Sequence, residues 1–266
     1  MTTALSPILA SRLEKAATDN GFDQALAPEG SWLVFASTQC RLRLWLGAFI
    51  GGDLESAVLL AAFSQLNVAR ALGEYGTPMA APMPKGAAAG RTVPDVPALH
   101  RLLRRAFQLS KALPNELLHT FEKQVASLPK TTEAERLVVQ RVGQNLFRGA
   151  LLDLWEGRCA VTGLAVPALL RASHIKPWAD CETDAERLDA YNGLLLAPHL
   201  DAAFDAGFIT VMDDGAIIVS DALDSDARAT LGLDRSLRVR GLADAHRTYM
   251  PWHRERVFNQ GPEGGQ

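Results

Sequence analysis

The sequence predicts an α+β protein, and three observations carry that expectation. Residues 159 to 209 hold two short apolar runs that bracket a polar, proline-bearing loop and lead into a short helical pattern. Near the start, SWLVFAST and RLRLWLGAF alternate as strands do. Leu99, Leu102, Leu103, Ala106 and Leu109 instead recur at helical spacing, one face of an amphipathic helix.

The central segment justifies its elements in turn. Leu169, Leu170 and Ala172 form an apolar run that stops at Ser173-His174-Ile175, because Pro177 and the polar stretch from Ala179 to Asp189 cannot continue a strand. His174 is thereby placed at a strand end beside a loop. Asn192-Gly193 suits a tight turn before the second run, Leu194 to Leu196. Pro198 fits a first helical residue and Gly207 the residue that ends the helix, with Asp201 and Asp205 sharing a face at i and i+4.

A strand, loop, strand and short helix carrying His, Asn and paired carboxylates resembles the ββα-metal fold of the HNH nucleases. The stretch TEAERLVVQRVGQNLFRGALLDLWEGRCAVTG, the phrases ASHIKPWADC and NGLLLAPHLDAAFDAGFITV, and the closing WHRERVF look like bacterial HNH proteins of the restriction type. The likeness spans Thr132 to Phe258 and implies a C-terminal HNH core flanked by helices and a hairpin. It implies His174 as general base and Asn192 as organiser of the loop behind it. Asp201, nine residues after the Asn, takes the ligand position usually written as the final His, with Asp205 as a further ligand. Two departures stand out. Ser173 occupies a position where the family often has a ligand, and His199 competes with Asp201 as a metal ligand.

The chemistry suits these residues. A neutral imidazole with a pKa near 6.5 takes a proton from water if a second group fixes its tautomer, and Asn192 or a backbone carbonyl near it is the candidate partner. Carboxylate oxygens favour Mg²⁺ or Mn²⁺ as the divalent cofactor, and His199 as an added ligand tilts the preference toward softer ions. The resemblance implies DNA as partner and products with 5′-phosphate and 3′-hydroxyl ends.

With 266 residues the chain has room for two modest domains, expected at 1–120, an N-terminal α+β unit for target recognition or partner binding, and 121–266, the nuclease domain with its core at 159–209. Its 48% hydrophobic and 21% charged residues are those of an ordinary globular protein. No apolar run reaches the ~18 residues of a membrane span, and the start lacks the pattern of a signal peptide, so a cytoplasmic protein is expected. Cys40, Cys159 and Cys181 are too few and too scattered for a disulfide framework or structural zinc, and Cys159 reads as a buried small residue opening the first core strand.

Charge is unevenly spread beneath a net −3: 13 acidic residues face only Arg187 and Arg228 from Asp180 to Asp234, whereas nine basic residues oppose four acidic ones from Leu99 to Arg148. An acidic half that holds metal and a basic half that grips phosphate is the expectation if the two meet. Arg101, Arg104, Gln108 and Lys111 line the polar face of the helix after Asp95. Arg104, Arg141, Arg148 and Lys176 are the candidates for DNA contact.

Elsewhere, residues 1 to 20 suggest a helix, and Leu54 to Leu72 a strand and a helix. GEYGTPMAAPMPKGAAAGRTVP reads as a surface loop or linker, the most mobile candidate in the chain. Thr132 opens a capping box with Glu135, and Val138, Val142, Leu146, Ala150 and Leu154 mark one face of a long helix up to Trp155. FITVMDDGAIIVS reads as a hairpin turning at Asp214-Gly215. Ala243 to Phe258 reads as a terminal helix on which His246 and His253 are structural. Trp32, Phe35 and Trp45 read as core, with stacking on a modified base as the alternative. The leading functional expectation is a metal-dependent DNA endonuclease of restriction or defence. A nonspecific nuclease effector and a decayed binding module are the alternatives, and a homodimer is the symmetry expectation for a duplex cutter.

Overall fold

The computed structural model describes residues 5–50, 57–80, 82–129 and 132–261. The first four residues, Leu54 and Ala81, on which expectations fell, lie outside them. The chain forms two compact units, Met1–Glu116 and Leu117–Gln266. Both mix helices and sheets, and the fold class is α+β.

The first unit is built on a six-stranded sheet in the order β1-β2-β3-β4-β6-β5. In chain order the elements are α1 (Pro7–Asp19), β1 (Gln24–Glu29), β2 (Trp32–Ala36), β3 (Leu44–Ile50), β4 (Ala57–Phe63), α2 (Leu66–Ala71), β5 (Thr77–Pro78), β6 (Ala89–Val93) and α3 (Val96–Ala112). Ser6 caps α1 and Asp95 caps α3, each accepting a backbone N–H three residues on. The helix after Asp95 buries Leu99, Leu102, Leu103, Ala106 and Leu109, the face its periodicity marks. The proline- and glycine-rich stretch is not simply a loop. It contributes β5 and β6, with Gly90 and Thr92 of β6 opposite Ala62 and Leu60 of β4. Small residues supply no alternation, so this pairing is set by the neighbouring strand and not by a local pattern. Trp32, Phe35 and Trp45 are all buried, and the Trp45 indole donates to Glu29 Oε2 at 3.1 Å. These rings belong to the core, as their alternation in the strands suggests.

In the second unit, α4 (Pro114–Val125), which begins just before the boundary, precedes α5 (Glu133–Leu154). Thr132 and Glu135 complete a reciprocal capping box at the start of α5. The buried face of α5 is Gly143, Phe147, Ala150 and Leu151, whereas Val138 is 49% exposed, so the expected stripe is corrected. Phe147 and Leu151 close directly on Gly193, where any side chain would collide with them.

The core strands β7 (Arg171–His174) and β8 (Gly193–Leu196) pair antiparallel, with His174 opposite Gly193 and Ser173 opposite Leu194. The loop between them holds α6 (Asp184–Arg187), and α7 (Pro198–Asp205) follows β8. Cys159 is not in a strand. It sits in a preceding turn, where its buried Sγ accepts from Thr162 and Ala197 N–H. The hairpin is β9 (Ile209–Val211) with β10 (Ile217–Val219), and α8 (Ser225–Leu231) comes next. The expected terminal helix is broken at Tyr249 into a 3-10 turn, Asp244–Thr248, and α9 (Met250–Arg256), because Pro251 has no N–H to continue the first.

Gly207 ends α7 at φ +76° and passes so close to Val257 that a Cβ would strike its carbonyl oxygen. Gly207→Ala is expected to destabilise the unit by about 2 kcal/mol or more, read as a lower urea midpoint at unchanged slope.

Candidate active site

His174 ends β7 with its ring stacked on Phe147 of α5, centroids 3.7 Å apart at 12°, and with Trp178 edge-on at 5.8 Å. Its Nε2 lies 3.0 Å from the carbonyl oxygen of Arg187. A carbonyl only accepts, so Nε2 carries the hydrogen and Nδ1 keeps its lone pair. Burial lowers the His174 pKa, partly opposed by that carbonyl, and the neutral ring is favoured.

The loop that supplies this carbonyl is tied around Asn192, which is fully buried. Its Oδ1 accepts from Lys176 N–H at 2.8 Å, and its Nδ2 donates to the carbonyls of Lys176 and Glu186 at 3.1 and 3.3 Å. Arg187 adds donations to the carbonyls of Trp178 and Cys181 and an ion pair with Asp184. Burial, then the charge of Glu186, push the Cys181 thiol up to about 11, so it stays protonated within the loop.

On α7 the two aspartates share one face. Ser173, itself buried, donates to Asp205 Oδ1 at 3.0 Å and bridges the strand to the carboxylates. Burial raises the Asp201 pKa, and the negative charge of Asp205 adds to it, while Ser173 and Arg171 oppose. Burial likewise raises Asp205, against the Ser173 hydroxyl. Neither carboxylate has a salt-bridge partner among the described residues. Two clustered carboxylates outside any salt bridge fit a hard divalent cation that retains several waters. A cavity of about 380 Å³ lies against Ser173, His174, Trp178 and Asp205, bringing the imidazole and one carboxylate to a common space.

Other expected residues are placed differently. His199 is exposed and two residues before Asp201, roughly 200° around the helix, and no three His, Cys, Asp or Glu side chains gather among the described residues. The expected trio of Asp201, Asp205 and His199 is therefore not assembled. Arg148 is committed to the carbonyls of Leu170 and Pro167 at 2.7 and 2.8 Å, tying α5 to the approach of β7. Lys176 is paired with Glu186 at 2.7 Å. Arg141 is exposed on α5, and Arg104 is exposed on α3 of the first unit. Of the two alternatives the sequence left open for orienting His174, the contact is made by a backbone carbonyl, that of Arg187, and not by the Asn192 side chain; Phe147 beneath the ring has no counterpart in the sequence reading. Gly193, a glycine beside the Asn, was the available sign of a close approach.

Residues 159–212 match the family model described as HNH endonuclease. Over this segment the chain is similar to the HNH endonucleases. The match covers the turn at Cys159, β7, the loop, β8, α7 and β9, and it carries with it the reading of a nuclease, a hydrolase of phosphodiester bonds. No curated protein matches the chain. Around this segment, α5 supplies Phe147 and Arg148 from outside the matched residues, and α9 brings His253 against it. His253 is buried, stacked on Phe204 at 3.7 Å, and bonded to Thr210 Oγ1 and the Phe204 carbonyl. No helix among the described residues is long and apolar enough to cross a membrane.

Proposed function

We infer that the chain is a metal-dependent DNA endonuclease with His174 as general base, serving restriction or defence with the first unit choosing the target. The observation that carries this reading is the hydrogen bond from His174 Nε2 to the Arg187 carbonyl. It leaves Nδ1 as the atom that takes the proton from the attacking water, on a residue that lines the same cavity as Asp205. Asn192 acts by holding the loop and hence that carbonyl. Phe147 restricts the imidazole to one plane. As the water oxygen attacks phosphorus, the bond to the 3′ oxygen breaks, giving 5′-phosphate and 3′-hydroxyl ends.

Mg²⁺ or Mn²⁺ held by Asp201 and Asp205 would neutralise charge on the phosphate and on the departing oxygen. Ser173 orients Asp205 for that role. Ser173→Ala is therefore expected to raise the Mg²⁺ concentration for half-maximal cleavage by about 10- to 100-fold, the usual effect of removing a hydrogen bond to a ligand. An unchanged metal titration would place the ion elsewhere.

The test of the reading is cleavage of methylated and unmethylated plasmid DNA with Mg²⁺, Mn²⁺ or EDTA. Cutting with metal alone is the expected result. Discrimination between the two plasmids supports restriction, whereas equal cutting of all DNA supports a nonspecific effector. Intact DNA throughout would favour a decayed binding module.

A further inference from the structure

A second cavity, of about 660 Å³, adjoins the first and shares Pro177, Asp205 and Val257 with it. Trp252 and Arg256 of α9 line it, together with Lys176, Asp180 and Glu182. Lys176 is neutralised by Glu186. Arg256 is exposed and has no hydrogen-bond or salt-bridge partner among the described residues, unlike Arg254 two residues before it, which is paired with Asp213 at 2.9 Å. Trp252 is only half-buried, so part of its ring remains open.

We propose that this cavity is the subsite for the nucleotide next to the scissile phosphate, with its phosphate on Arg256 and its base stacked on Trp252. The inference rests on the nuclease reading above and adds to it where the strand runs and what form it takes. An unpaired cation and an aromatic face beside each other are the two elements that single-strand binding requires. Asp180 and Glu182 repel phosphate but accept N–H donors. The charge distribution therefore seats the phosphate at Arg256 and turns the base edge toward the carboxylates. A base stacked on Trp252 is out of its duplex stack, so the substrate is a single-stranded, frayed or locally opened DNA segment.

The test uses the full chain carrying His174→Ala, which holds the strand uncut, and a fluorescein-labelled single-stranded oligonucleotide followed by anisotropy in Mg²⁺. Trp252→Ala in that background is expected to raise Kd about tenfold, with Trp252→Phe restoring much of the loss. Arg256→Ala is expected to flatten the slope of log K against log salt by about 0.7, the loss of one phosphate contact on a single strand. Wild-type-like Kd and salt slope in both variants would overturn the subsite. Equal affinity for a blunt duplex and the single strand would overturn the unstacked geometry. Cleavage by the otherwise unchanged protein is read in parallel, so a failed subsite with intact cutting is distinguishable from failure of the nuclease reading itself.

Discussion

His174→Ala is expected to lower the rate of DNA cleavage by about 10²- to 10⁴-fold, the range over which a positioned general base acts. The residue is only partly buried and ends a strand, so its removal leaves the β7–β8 pairing in place, and an unchanged urea midpoint would separate lost chemistry from lost fold. The pH profile gives a second readout. A base must be unprotonated, and burial lowers the His174 pKa from its ordinary value of 6.5. The rising limb of kcat should therefore lie on the acid side of pH 6.5, measured at saturating Mg²⁺ so that protonation of Asp201 and Asp205 does not contribute. That limb should vanish in His174→Ala. A limb on the alkaline side, or one that survives the substitution, would assign the proton transfer to another group.

Acidification is expected to unfold the second unit before its carboxylates are fully titrated. His246 and His253 are 0% and 1% exposed, and burial pushes both down to about 4. The unfolded chain takes up these protons below pH 6.5 while the folded chain refuses them until about pH 4. Each histidine thus contributes stability that is fully present above pH 6.5 and is lost as the pH falls toward 4, by up to about 3 kcal/mol each. His246 has a further reason to resist charging, since its Nε2 and the Trp155 Nε1 are buried without hydrogen-bond partners among the described residues. Urea midpoints measured from about pH 7 to about pH 4 should fall steeply, and His253→Gln should flatten the curve. A midpoint independent of pH over that range would show that neither imidazole is held neutral by the fold.

Local physics made much of the site legible. The apolar run ending at His174 and the helix from Pro198 to Gly207 are decided by neighbours a few residues away, as is the shared face of Asp201 and Asp205, whereas Gly193 is extended in β8 and answers to Phe147 and Leu151 of α5. The capping box at Thr132 and the buried face of α3 are of the same kind. The terminal helix failed at a residue that is itself local, Pro251, whose missing N–H was visible but outweighed by the surrounding pattern.

What the sequence by itself determined was the order of elements in the HNH core, the residues at their ends and the chemistry those residues can perform, because turn preference and helical spacing act over a few residues. Only the tertiary structure decided which nitrogen of His174 is free, since the Arg187 carbonyl that selects it belongs to a backbone and leaves no mark in a residue pattern. It also decided that Arg148 holds carbonyls, that Phe147 lies beneath the imidazole, and that β6 pairs with β4 through Ala and Gly. Each of these is a contact between segments far apart in the chain, and its partner is known only once the chain has closed on itself.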